Sequence, residues 1–347
     1  MTRTANVAVV GATGAVGQEA LSLLEERDFP VGRLLLLASG RSAGTEMSFR
    51  GRVLRVETLA QADFQGIDLV LSAPGASVSR EFAPRAVAAG AVVIDKSSAF
   101  RMDPEVPLVV PEVNGEEALA HRGIVSSPNC STIPLVVCLK PLQEAFGIRR
   151  VVVSTYQAVS GAGRKGGEEL FGQTVALLNR RPIETVAFPH QIAFNVVPQV
   201  ETFRPEDEGY TTEEVKIVQE TRRILGMPDL RLTATAVRVP VMNGHSESVN
   251  VELERPASAE EAREVLSRAP GVAVVDDPSG GEYPMPLEAT GRDEVLVGRI
   301  RRDATVPSGL NLWLACDNLR KGAALNAVQI AELLWRRQGS GRRPESE

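Results

Sequence analysis

The chain has 347 residues, 43% of them apolar and 24% charged, with a net charge of −6 at pH 7. That length suits two domains whose core needs no disulfide staples, and the acidic balance excludes a surface built for nucleic acid. The three cysteines have no zinc-like spacing, no apolar run reaches the ~18–20 residues of a membrane helix, and the start has no signal-peptide pattern, so a soluble chain in the reducing cytoplasm, away from membranes, is expected.

In chain order, residues 6–10 read as a buried strand, followed by a glycine-rich turn and a helix to about residue 27. Apolar runs at 33–38, 68–72 and 91–95, with a helical stretch at 79–89, continue the alternation, and shorter runs at 108–110 and 124–126 follow. Short strand patterns separated by helices indicate a mostly parallel sheet with helices on both faces. After Cys130 the pattern lengthens: a helix at 131–146, a strand at 149–159 and helices at 165–179 and 212–225. Runs at 231–241, 246–253, 295–302 and 310–317 are long and often alternate, which suits a mixed sheet with one covered face. Residues 321–336 make an amphipathic helix, and 338–347 has the composition of a disordered tail.

The turn after the first strand reads Gly11-Ala12-Thr13-Gly14-Ala15-Val16-Gly17. Small residues there let the backbone approach a pyrophosphate, and the helix start offers N–H groups to it. The next strand ends Ser39-Gly40-Arg41-Ser42, with no acid for a ribose 2′-hydroxyl. A guanidinium flanked by hydroxyls suits a 2′-phosphate, so the expected cofactor is NADP.

Cys130, in Ser127-Pro128-Asn129-Cys130-Ser131-Thr132, falls among polar residues at a helix start, where a thiolate is favoured. Cys138 and Cys316 lie in apolar runs and read as inert. A nucleophilic cysteine beside a nicotinamide cofactor points to aldehyde oxidation through a thioester, which calls for an acid/base. Of the histidines at 121, 190 and 245, His245 is favoured because it sits in a loop between two strands. Arg238 shares a strand face with Ala234 and Ala236, which leave room for a ligand. Glu213 and Lys216 share a helix face behind a capping-box start at Thr211–Glu214, and by themselves read as a plain ion pair.

These segments, together with 72–79, 155–163, 210–216, 238–248 and 317–332, resemble the aspartate-semialdehyde dehydrogenase family over nearly the whole chain, and Tyr156–Gly163 resembles its shorter, Gram-positive-like branch. The resemblance implies an α/β fold: a Rossmann-type NADP-binding domain at 1–130, to which a C-terminal helix at 319–337 returns, and an α+β catalytic and dimerisation domain with a mixed sheet at 131–318. It implies Cys130 as nucleophile, His245 as acid/base and Gln157 as the residue holding the substrate near the cysteine. Arg238 is implied at the substrate carboxylate, Glu213 at its ammonium, and Arg101, Asn129 and Lys216 at phosphate. Gly11, Thr13, Gly14, Ala15 and Val16 would cradle NADP, Ser39, Arg41 and Ser42 would meet its 2′-phosphate, and Ser160, Gly161 and Asn318 would approach it from the other domain; no metal is implied. The implied assembly is a homodimer or a tetramer of two dimers, in the pathway to lysine, diaminopimelate, threonine and methionine. Pro74 stands where many relatives carry glycine, and it removes one backbone N–H from that loop. Rival readings are an N-acetyl-glutamyl-phosphate reductase, whose cysteine segment is expected to read Pro-Gly-Cys, and a non-catalytic NADP-binding regulator.

Overall fold

The computed structural model describes residues 3–339. The chain divides into two compact units, one made of residues up to Pro128 and from Ala323 on, the other of Asn129–Gly322. The first unit runs β1 (Ala5–Val10), α1 (Ala15–Glu26), β2 (Val31–Ala38), β3 (Glu46–Phe49), β4 (Arg52–Arg55), β5 (Glu57–Thr58), β6 (Leu69–Ser72), α2 (Ala76–Ala88), β7 (Val92–Asp95), α3 (Pro111–Asn114) and β8 (Ile124–Ser126). The second runs α4 (Thr132–Phe146), β9 (Ile148–Gln157), α5 (Arg164–Leu178), α6 (Thr212–Ile224), β10 (Arg231–Arg238), β11 (His245–Leu253), α7 (Ala259–Ser267), β12 (Val272–Val274), α8 (Pro286–Ala289), β13 (Val295–Asp303) and β14 (Gly309–Cys316). A π-helical turn at Arg320–Ala324 leads into α9 (Leu325–Gly339). Gln338 and Gly339, read from composition as tail, close that helix, and the rest of the tail lies outside the described residues.

The first unit has a six-stranded sheet ordered β5-β2-β1-β6-β7-β8 in which every pairing is parallel. Side-chain alternation splits its core in two. Val7, Val9, Leu36, Leu69 and Ile94 join Leu21 and Leu24 of α1 and Val328 of α9 on one face. Ala8, Val10, Leu35, Leu37 and Val70 join Phe82 and Ala86 of α2 on the other. Each such buried leucine stabilises the fold by about 1.5–3 kcal/mol. The β3–β4 hairpin, absent from the sequence reading, turns at Arg50 and Gly51, both with positive φ. The apolar run at 108–110 is no strand: it makes one bridge, Leu108 to Ser126, because Pro107 and Pro111 bracket it.

The second unit holds a mixed sheet ordered β10-β9-β11-β14-β13-β12, with β9 parallel to β10 and antiparallel to β11. Helices α4, α6 and α7 pack on it. The buried face carries Val151, Val153, Val249, Val251, Leu312 and Leu314. The other face presents half-buried Ser154, Tyr156, Ser248, Asn250, Asn311 and Trp313, with the Tyr156 and Trp313 rings 5.2 Å apart. Strand β9 stops at Gln157, short of the expected residue 159, because Val159 starts a 3₁₀ turn.

Candidate active site

The first unit's glycine-rich turn is tightly built. Gly11 adopts φ +80°, open to glycine at little cost. A Cβ on Gly17 would come within 2.3 Å of the Gly11 carbonyl oxygen, so helix and turn meet there only through glycine. Helix α1 has no side-chain cap at Gly14 and no acid in its first turn, and Gly14 and Ala15 are exposed. An uncapped helix start beside bare backbone suits the pyrophosphate of a dinucleotide. Ser39 and Arg41 are exposed just past β2, the strand next to β1. The neighbouring loop after β6 is held by Asp95, a buried carboxylate that accepts the hydroxyls of Ser72 at 2.8 Å, Ser79 at 2.7 Å and Ser97 at 2.6 Å. Sequence reasoning missed Asp95, whose partners Ser72 and Ser79 lie well outside its local window. Pro74 sits in that loop, its nitrogen in ordinary contact distance of a Cβ built on Gly11. Arg101, expected at phosphate, is buried rather than a solvated loop residue, and its guanidinium donates to the carbonyls of Ser127 and Lys96.

In the second unit the chain folds so that distant side chains converge. Cys130 directly precedes Ser131, the N-cap of α4. Its Sγ lies 3.4 Å from Nε2 of His245, which opens β11. His245 is 1% exposed, and its Nδ1 accepts the Ala158 N–H at 3.1 Å. Burial, and after it the Arg238 charge, hold this imidazole well below its ordinary value. Of the other two histidines, His121 is half-buried and accepts the Gly123 N–H, and His190 is exposed.

Arg238, at the end of β10, is 6% exposed and donates from Nη1 to the Ala158 carbonyl at 2.8 Å, with its guanidinium carbon 5.8 Å from the centre of the Phe188 ring. Burial lowers the guanidinium's affinity for its proton, while Cys130, Glu213 and Glu201 support the charge. Helix α6 supplies the acids. Its start is the capping box read from sequence, with Thr211 and Glu214 bonded reciprocally, and Glu214 also accepts the Ala236 N–H at 2.8 Å, which pins α6 to β10. Glu213 then faces inward, where it accepts the side-chain amides of Asn129 at 2.9 Å and Gln157 at 3.1 Å. The plain ion pair expected from spacing is only part of its environment: Lys216 stands 3.7 Å from Glu213 and bonds Glu201 as well.

Asn129 is more committed than the sequence implied. Its Oδ1 accepts the Ser131 N–H at 2.8 Å, and its own N–H donates to Glu220 at 2.7 Å. Glu220, two turns along α6 from Glu213, is thus a second buried anchor for the residue before Cys130, and no local signal marks it. Ser160 bonds Asn243 at 3.0 Å and Asn318, while Asn318 also accepts the Gly244 N–H at 2.9 Å, so this loop cluster sits at the His245 end of β11. Gly161 lies against Arg238 and His245. The cluster brings together Cys130, His245, Gln157, Glu213, Arg238, Asn129 and Lys216. A thiol, an imidazole, two cations and one acid can act together on a small substrate with a carbonyl, a carboxylate and an amine. No group of three or more His, Cys, Asp or Glu able to hold a metal is present among the described residues.

The family described as "Semialdehyde dehydrogenase, NAD binding domain" matches residues 6–121, and "Semialdehyde dehydrogenase, dimerisation domain" matches 139–321. The chain is 51% identical over 342 residues to the aspartate-semialdehyde dehydrogenase of Bacillus subtilis, covering 96% of this chain and 98% of that one. It is 54% identical over 332 residues to the Aquifex aeolicus protein of the same name, covering 94% and 97%. Among solved structures it resembles aspartate semialdehyde dehydrogenase II from Vibrio cholerae complexed with ASA, with a TM-score of 0.94, 48% identity and coverage of 96% and 99%.

Proposed function

This chain belongs to the aspartate-semialdehyde dehydrogenase family, oxidoreductases of amino-acid biosynthesis, and from that premise we propose that it interconverts L-aspartate 4-semialdehyde, phosphate and NADP⁺ with L-4-aspartyl phosphate and NADPH. The observation that carries this reading is the approach of Cys130 to His245 at 3.4 Å, with Arg238 and Glu213 in electrostatic reach of each other. Cys130 is the nucleophile that takes the acyl group as a thioester. His245 serves the reacting carbonyl through Nε2, the acid/base position. Arg238 takes the substrate carboxylate, Glu213 its ammonium, and Gln157, tied to Glu213, holds the substrate against the cysteine. Lys216 and Asn129, and Arg101 of the first unit, are assigned to phosphate. For Lys216 this means exchanging part of its bond to Glu201 for the incoming anion.

NADP is favoured over NAD because Arg41 and the hydroxyls of Ser39 and Ser42 stand past β2, where no acid is present to take a ribose hydroxyl. Gly11, Thr13, Gly14, Ala15 and Val16 in the first unit, and Ser160, Gly161 and Asn318 in the second, are assigned to the cofactor. These residues would hold the nicotinamide cofactor, which would supply hydride transfer chemistry at the acyl carbon. The three cysteines are free thiols, as suits the cytoplasm. The test is formation of NADPH from L-aspartate semialdehyde, with and without phosphate, and with NADP⁺ against NAD⁺. Strict phosphate dependence with a preference for NADP⁺ is expected. Turnover of N-acetyl-glutamate semialdehyde instead would overturn the substrate.

We assign the homodimer contact to the sheet face bearing Ser154, Tyr156, Ser248, Asn250, Asn311 and Trp313, which lies within the residues matched by the dimerisation-domain family. Ser248 is central there, opposite Trp313 on β14 and Ser154 on β9. Ser248→Arg puts an unpaired charge on that face, and sedimentation velocity is expected to show a shift from dimer to monomer. An unchanged dimer with a folded variant would move the contact elsewhere.

A further inference from the structure

Three neighbouring strands of the first unit's sheet, β6, β7 and β8, end side by side, and Asp95 closes the middle one opposite Ser72. Asp95 is 0% exposed, where a carboxylate must be compensated. No lysine or arginine forms an ion pair with it among the described residues. Serine hydroxyls take the place of a cation: Ser72 and Ser79 donate to Oδ1, and Ser97 donates to Oδ2. The two oxygens lead to different places. The Oδ1 side leads to the dinucleotide turn. Ser72 ends β6 and Ser79 lies in the first turn of α2, so both ends of the loop between them are pinned to one oxygen, with the two hydroxyls 3.2 Å apart. Within that loop, Ala73 donates its N–H to the Val10 carbonyl at 3.0 Å, and Ala73 and Pro74 come 3.5 Å from a Cβ built on Gly11. Gly75, the N-cap of α2, is exposed and offers no side-chain cap. This second bare helix start stands beside that of α1, because β1 and β6 pair through Val10 and Ser72.

The Oδ2 side leads to Arg101. Ser97 donates to Oδ2 and accepts the Ala99 N–H at 3.1 Å, a directed chain that fixes the turn before Arg101. The guanidinium then donates to the carbonyls of Lys96 and Ser127. Both carbonyls belong to residues held at Asp95. Lys96 is its neighbour in the chain, with its own N–H on the Ser72 carbonyl at 3.2 Å, and the Ser127 N–H bonds the Asp95 carbonyl at 2.8 Å. Resting on the reaction proposed above, we infer that Asp95 is a positioning residue shared by two subsites: it sets the loop after β6 for the dinucleotide through Ser72 and Ser79, and the Arg101 guanidinium for phosphate through Ser97. An ionised carboxylate suits this place because it accepts hydroxyls from two directions and presents no donor of its own. An amide of the same size would turn an N–H toward one of the two sides. Bonds from hydroxyls to a charged acceptor are short and strong, so each side is held to a narrow range of positions.

The test separates the two sides in the full chain. Ser79→Ala removes a hydroxyl from the cofactor side and leaves Ser97 in place, and Ser97→Ala does the reverse. Affinity for NADPH is read by fluorescence titration. Affinity for inorganic phosphate is read by calorimetry of the protein loaded with NADP⁺, and again as its KM in the semialdehyde assay. Ser79→Ala is expected to weaken NADPH about tenfold and to leave phosphate within about twofold of wild type, the loss of one bond to a charged acceptor. Ser97→Ala is expected to weaken phosphate about tenfold and to leave NADPH within about twofold. Asp95→Asn is expected to weaken both. A role confined to holding the fold would lower the melting temperature and move the two affinities together. Equal shifts in the two serine variants, or no shift in either, would therefore overturn the inference. Should Asp95→Asn misfold, the serine pair decides alone. A wild type inactive on semialdehyde would sink the functional reading alone, because both titrations are made without the aldehyde.

Discussion

Cys130→Ser is expected to lose turnover of L-aspartate semialdehyde by on the order of 10⁴-fold or more in kcat, with NADPH binding intact. Serine nearly keeps the shape of the residue before the Ser131 N-cap, so α4 still starts in place. What it lacks is a readily ionised sulfur, because a hydroxyl holds its proton far more tightly than a thiol. The Nε2 of His245, 3.4 Å away, would then face an unreactive oxygen. The other thiols cannot substitute. Cys138 and Cys316 are buried, and burial raises both well above the ordinary thiol range. The phosphate-dependent assay gives kcat, and a fluorescence titration with NADPH gives binding. Residual activity within about tenfold of wild type would remove Cys130 from the nucleophile's role.

Arg238→Lys is expected to lower kcat/KM for the semialdehyde about a hundredfold, mostly through KM, with binding of NADP little changed. The charge is conserved, so the loss measures geometry. The guanidinium spends Nη1 on the Ala158 carbonyl and keeps a planar fork of further donors against the Phe188 ring. A lysine is a single point of charge on a flexible stem, and it cannot hold the carbonyl and grip a carboxylate bidentately at once. Losing one charge-assisted bond costs about 2–3 kcal/mol, which is the hundredfold quoted. Steady-state kinetics separate the parameters, and an unchanged KM would place the substrate carboxylate elsewhere.

Local chemistry made much of this molecule readable. The strand–glycine–helix start at Ala5–Glu26 follows from periodicity and small residues, and the Thr211–Glu214 capping box carries its own signature. Helix α7 carries the same signature at Ser258 and Glu261. The β3–β4 hairpin is illegible: its strands are four residues long and mostly exposed, so alternation has too little length to show. The site divides in the same way. Cys130 announces itself through polar neighbours at a helix start. Glu213 does not, because it matters through Asn129 and Gln157, which lie 84 and 56 residues away in sequence. Asp95 and Glu220 are invisible by the same logic. Each is a buried acid with partners distant in sequence, Ser72 and Ser79 for Asp95 and Asn129 for Glu220.

Strand β9 is a partition one residue thick. Gln157 hangs on the side where Glu213 and Cys130 gather, and Tyr156, the residue before it, lies on the opposite side against Trp313. Successive side chains of a strand share one rigid peptide unit while facing apart. Anything that presses on the Tyr156 face therefore bears on the Gln157 side through a single peptide plane, as a load on one side of a drumhead is felt on the other. Coupling between those faces would need no chain of intermediates, and its strength would depend on how stiffly Ser246 and Val237, the register partners of Tyr156 on β11 and β10, clamp the rim.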